Sequence, residues 1–76
     1  IGAFVQIHGT GGSGLNVRRE PGTGSKAIFL GADAEVFEVI GGPTGKDGYV
    51  WWLLSAPYDQ TRQGWAAEDY LHIIEP

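Results

Sequence analysis

Gly14-Leu15-Asn16-Val17-Arg18-Arg19-Glu20-Pro21-Gly22 decides the fold when read with its counterpart near the other end, Gly64-Trp65-Ala66-Ala67-Glu68-Asp69-Tyr70-Leu71. In the first stretch Leu15 and Val17 alternate with polar residues, so they share one face of a short strand. The polar run that follows ends in Pro21-Gly22, a turn signal. In the second stretch Gly64 lets Trp65 sit close to neighbouring backbone, and a small acidic turn leads into a closing strand. The two lie about fifty residues apart, the spacing of a small single-domain barrel.

Working outward, Ala3 to His8 is rich in β-formers and predicts a first strand. Gly9 to Gly14 holds four glycines and predicts a flexible loop. No Gly-Lys-Ser/Thr follows it and no helix-forming run begins there, which argues against a phosphate cradle. Arg19 to Ala27 predicts a long polar hairpin loop, and Ile28-Phe29-Leu30-Gly31 brings the chain back. Glu35 to Ile40 reads as a strand with Phe37 and Val39 on one face and Glu38 wetting the other. Gly41 to Gly48 is expected to turn, with Asp47-Gly48 as the hairpin signal.

Tyr49 to Leu54 is the strongest strand. Val50, Trp52 and Leu54 are assigned to its core face, and Tyr49, Trp51 and Leu53 to the other. Ala56 to Arg62 is polar and contains Pro57, so it reads as a connecting turn. Gln63 to Ala67 is a further short strand. Glu68-Asp69-Tyr70 suits one 3₁₀ turn, and Leu71 to Ile74 is a last strand. Short, closely spaced strands without a long helix predict an all-β, strongly bent barrel whose closure removes exposed edges.

At 76 residues the chain makes one domain. With no cysteine, neither disulfides nor thiolate metal sites hold it together, so it depends on an apolar core. Three Trp, three Tyr and three Phe supply that core, because large aromatics fill a small interior with few residues. The formal charge of −4 repels phosphate backbones and argues against nucleic acid as a partner. It also favours neutral or cationic partners over anionic membranes or anionic wall polymers. No apolar run approaches the roughly 20 residues that span a bilayer, so no direct membrane insertion is expected. The start on Ile1 and the end on Pro76 suggest that residues 1–76 are a single domain excised from a longer protein.

With the strands placed, four segments in the right order resemble the bacterial SH3-like (SH3b) domain. Leu15-Asn16-Val17-Arg18 resembles its opening strand, and Glu35 to Pro43 its central strand. Tyr49 to Leu54 resembles its paired-aromatic strand, and Gly64-Trp65 with Tyr70-Leu71 its closing elements. The resemblance implies a small SH3-like barrel of about five to seven short strands with one 3₁₀ turn near Glu68–Tyr70. It implies non-catalytic recognition of a cell-wall peptidoglycan peptide or another extended ligand. A protein partner, or a neighbouring domain of the same chain, is the alternative. It also implies an extracellular or cell-envelope setting and no cofactor. Two departures stand out: Leu53 occupies a position often charged and outward in the family, and Ser55 to Gln63 exceeds a tight hairpin.

Such a groove is lined by aromatics with a few polar groups fixing orientation. Trp51 is the first candidate because its face is opposite the core; the structural alternative is packing under the Arg19–Ala27 loop. Tyr49 lies beside it on that face. Tyr58, in its polar turn, and Tyr70, before the last strand, are further candidates. Arg18 and Arg19 are candidates for orienting a carboxylate, since guanidinium binds one in bidentate fashion. Glu68 and Asp69 favour the start of the 3₁₀ turn electrostatically. Trp52 and Trp65 are assigned to the core.

Catalytic readings find little support. Ser13, Ser25 and Ser55 lie in loops without a nucleophile-elbow pattern. His8 and His72 sit in terminal strands and meet only if those strands are neighbours. Two histidines without metal-ligand spacing do not predict a metal site.

Overall fold

Alternating apolar residues form strands wherever the sequence predicts them. The computed structural model describes residues 2–74. Its strands are β1 (Phe4–Ile7), β2 (Leu15–Arg18), β3 (Ala27–Gly31), β4 (Val36–Lys46), β5 (Tyr49–Ala56), β6 (Asp59–Ala67) and β7 (Leu71–Ile74). A 3₁₀ turn, Glu68–Tyr70, separates β6 from β7. All pair antiparallel in one sheet, in the order β3-β2-β6-β5-β4-β1-β7. Among the described residues no helix is long and apolar enough to cross a membrane.

The sheet rolls on itself. Gly31, on edge strand β3, lies against Ile7 and Phe37 of β1 and β4, which stand at the far side of the strand order. Inside the roll, Val5, Ile7, Leu15, Val17, Phe37, Val39, Leu54, Ala56 and Ala66 form the core, with Phe29, Trp52 and Leu71 packed around it. Each fully buried large side chain contributes about 1.5–3 kcal/mol. Phe29 stacks on Phe37 at 6.0 Å between centroids, and the Arg62 guanidinium covers the Phe29 ring at 4.3 Å.

Three expectations require correction. Gly41 to Lys46 is strand, not turn: β4 stays paired with β5 through two register shifts, and only Asp47-Gly48 turns. Gly42 allows this, with a φ of 98° and a Cβ position only 2.9 Å from the Trp51 carbonyl oxygen. Asp59 to Arg62 is also strand. Pro57-Tyr58 makes a tight turn, Ala56 faces Asp59, and a bulge then shifts the register so that Ser55 faces Gln63. Trp65 is half-buried on the outer face of the sheet beside Leu53 rather than in the core. The close approach is made by Gly64 itself, which fits against Val17 and the Arg18 backbone at the β2–β6 seam.

Candidate functional site

The outer face of β5 carries Tyr49 and Trp51 two residues apart, and this periodicity aims both at one groove. It has a volume of about 310 Å³ and lies where the Gly9–Gly14 loop, the end of β2, the start of β5 and the 3₁₀ turn meet. Arg18 and Thr23 line one part, Tyr49 and Tyr70 another, and Trp51 and Ala67 also border it. Tyr49 and Trp51 meet edge to face at 6.0 Å. Tyr49 and Tyr70 are 38% and 40% exposed, whereas Trp51 is only 2% exposed. The indole N–H of Trp51 donates to the Lys46 carbonyl at 2.9 Å.

Trp51 therefore sits on the predicted face, and of the two readings open for it, exposed or packed, its burial favours the packed one. It is a fixed, nearly covered aromatic, while the open aromatic surface comes from the tyrosines. Leu53, on the same face, is half-buried against Gly41.

Hydrogen bonds between turns distant in sequence hold the groove's two loops. Arg18 Nη1 donates to the carbonyls of Thr23 and Ser25 at 3.0 and 2.8 Å, which curls the loop around its own guanidinium. Asp47, at the β4–β5 turn, accepts from the Thr23 N–H at 2.9 Å and tethers that loop to the hairpin. Asp33 does the same for the glycine loop, accepting from the Thr10 hydroxyl at 2.7 Å and the Gly12 N–H at 3.0 Å. Thr10 Oγ1 in turn accepts from the Gly14 N–H. Sequence reasoning missed Asp33 and Asp47. Each stands in a turn, a local signal, but nothing local names a partner more than twenty residues away.

The Thr10 hydroxyl, followed by the Gly12 N–H, holds the Asp33 carboxyl below its ordinary pKa. A carboxyl depressed in the folded state adds stability above its unfolded pKa, and this is lost as pH falls through the folded value. Asp33→Asn imitates the protonated side chain. Its urea midpoint is expected to fall below that of the parent at neutral pH and to converge with it as pH falls below the ordinary carboxylate range. A gap between the two that is independent of pH contradicts this role.

Two site candidates lie elsewhere. Arg19 borders a separate surface hollow with Glu20 and Lys26. Tyr58 is 70% exposed, but its hydroxyl donates to Glu35 at 2.6 Å. Arg62 closes the cluster with a 2.8 Å ion pair to the same carboxylate. Burial acts to raise the Glu35 pKa, but hydrogen bonds from Tyr58, the Ala32 N–H and Arg62 together hold it below its ordinary value. This cluster pins the β5–β6 turn to the start of β4.

His8 and His72 do meet, edge to face at 5.7 Å, because β1 and β7 pair. Among the described residues no group of three or more His, Cys, Asp or Glu could hold a metal ion. A second, apolar groove of about 340 Å³ lies on the far side of β5, beside Val5, Val39, Trp52, Leu71 and Ile73. There the Trp52 indole N–H donates to Glu68 at 2.9 Å.

A family model described as the bacterial SH3 domain matches residues 13–72. No curated protein and no solved structure matches the chain. The matched span holds Arg18, Tyr49, Trp51 and Tyr70, and leaves out β1, although β1 supplies Val5 and Ile7 to the core.

Proposed function

The chain belongs to the bacterial SH3 domain family, and from that premise we propose that its tyrosine-lined groove recognises an extended peptide of the cell-wall peptidoglycan type. Domains of this family are generally binding modules, and the role proposed here is non-catalytic. The observation that carries the reading is the convergence of Arg18, Tyr49, Trp51 and Tyr70, from three separate segments, on one open groove. Such a groove offers aromatic contact area at low entropy cost, with backbone and hydroxyl groups to fix orientation. In this role the domain tethers a larger secreted or envelope protein to the wall.

Titration with a soluble peptidoglycan fragment, followed by tryptophan fluorescence, is expected to saturate. Tyr49→Ala and Tyr70→Ala each remove a half-open ring from the groove and should weaken binding about tenfold. Tyr58→Ala, outside the groove, should leave affinity unchanged. No saturable signal from the parent domain, or equal losses in all three variants, contradicts the proposal.

A further inference from the structure

In a chain of net charge −4, the groove has a different electrostatic character from the surface around it. Among the described residues that line it, Arg18 is the only charged side chain; the rest are neutral hydroxyl, amide, aromatic, aliphatic or small groups. The guanidinium is already immobilised, since Nη1 is committed to the Thr23 and Ser25 carbonyls. Nε and Nη2 have no hydrogen-bond partner among the described residues, and neither is a buried unsatisfied atom. A half-buried arginine held on one side and open on the other has little further freedom to lose when it binds.

We propose that Arg18 is a carboxylate anchor: the peptide held in this groove carries a free carboxylate that accepts from Nε and Nη2 of Arg18. This inference rests on the groove-binding reading above and adds the chemical class of the recognised end. Paired N–H donors at fixed spacing match the two oxygens of a carboxylate. The acidic remainder of the chain repels extended polyanions, so the groove selects a peptide with a local negative charge. Tyr49 and Tyr70 supply the uncharged contacts beside it.

The test uses three forms of one peptidoglycan stem peptide: all carboxyls free, only the C-terminal carboxyl amidated, and every carboxyl amidated. Complete amidation is expected to weaken binding at least about tenfold, the usual worth of a charge-assisted pair. The singly amidated form distinguishes a terminal from a side-chain carboxylate: weakening there identifies the C-terminus, and full retention identifies a side chain. In Arg18→Gln the preference for free acid over full amide should disappear. In Arg18→Lys, which keeps the charge but not the fork, it should shrink without vanishing.

Equal binding of free acid and full amide by the parent domain overturns the carboxylate assignment and leaves the groove reading standing. A preference undiminished in both Arg18 variants also overturns it. Failure of the parent to bind any form overturns the groove reading, and this inference with it.

Discussion

Trp51→Ala is expected to lose about 3–5 kcal/mol of folding stability, the usual cost of removing a buried indole. Native domains hold only about 5–15 kcal/mol in total, so the variant should lose a large fraction of its stability. The reason is position. Trp51 is 2% exposed, meets Tyr49 edge to face and ties the β4–β5 hairpin through its N–H to Lys46. It stands apart from the main apolar cluster, so its loss leaves the groove without its fixed aromatic. Trp51→Phe keeps a ring there and should cost only about 1–2 kcal/mol, combining a lost hydrogen bond with imperfect packing. Urea denaturation of both variants checks this. A Trp51→Ala unfolding free energy within about 0.5 kcal/mol of the parent's would mean that the indole is a surface group after all. Lost ligand binding in Trp51→Ala cannot identify a contact residue, which is why the tyrosines are the better probes.

Gly64→Ala is the second large effect. A Cβ at this position would lie 2.6 Å from Val17 Cγ1 and 2.8 Å from the Arg18 carbonyl oxygen. Val17 is fully buried, and the second obstacle is backbone, so neither can simply swing aside. Overpacking of this kind costs about 1–3 kcal/mol. The strain falls on the β2–β6 seam, where Arg18 faces Trp65, and so should displace the one charged group of the groove. Gly45→Ala is the control: its Cβ position meets nothing within 4 Å, and its stability should hold within about 0.5 kcal/mol. Equal urea midpoints for the two alanine variants would contradict the seam argument.

Alternation made the strands legible, because the faces of Leu15/Val17 and Phe37/Val39 are set within a few residues. It also assigned Tyr49 and Trp51 to the same face. Alternation tells which way a side chain points but not what covers it, so it left open whether Trp51 is exposed or packed. Gly41-Gly42-Pro43 carries turn chemistry yet stays in the sheet, because bulges absorb the same residues that break a regular strand. Tyr58 shows the converse. Its exposed turn was legible, but its bond to Glu35, 23 residues away, depends on how the sheet rolls. Four of the six site candidates share one groove. The carboxylates that hold its loops, Asp33 and Asp47, were hidden because their partners lie far along the chain.

The central claim is that ligand enters the groove bordered by Arg18, Tyr49, Trp51 and Tyr70. The most direct test is titration of the isotopically labelled domain with a soluble peptidoglycan fragment, following each backbone amide and tryptophan indole resonance. Saturable shifts confined to Arg18, Thr23, Tyr49, Trp51, Ala67 and Tyr70 and their chain neighbours are the predicted result. Shifts centred instead on Trp52, Leu71 and Ile73 at the apolar groove, or no shifts at all, would contradict it.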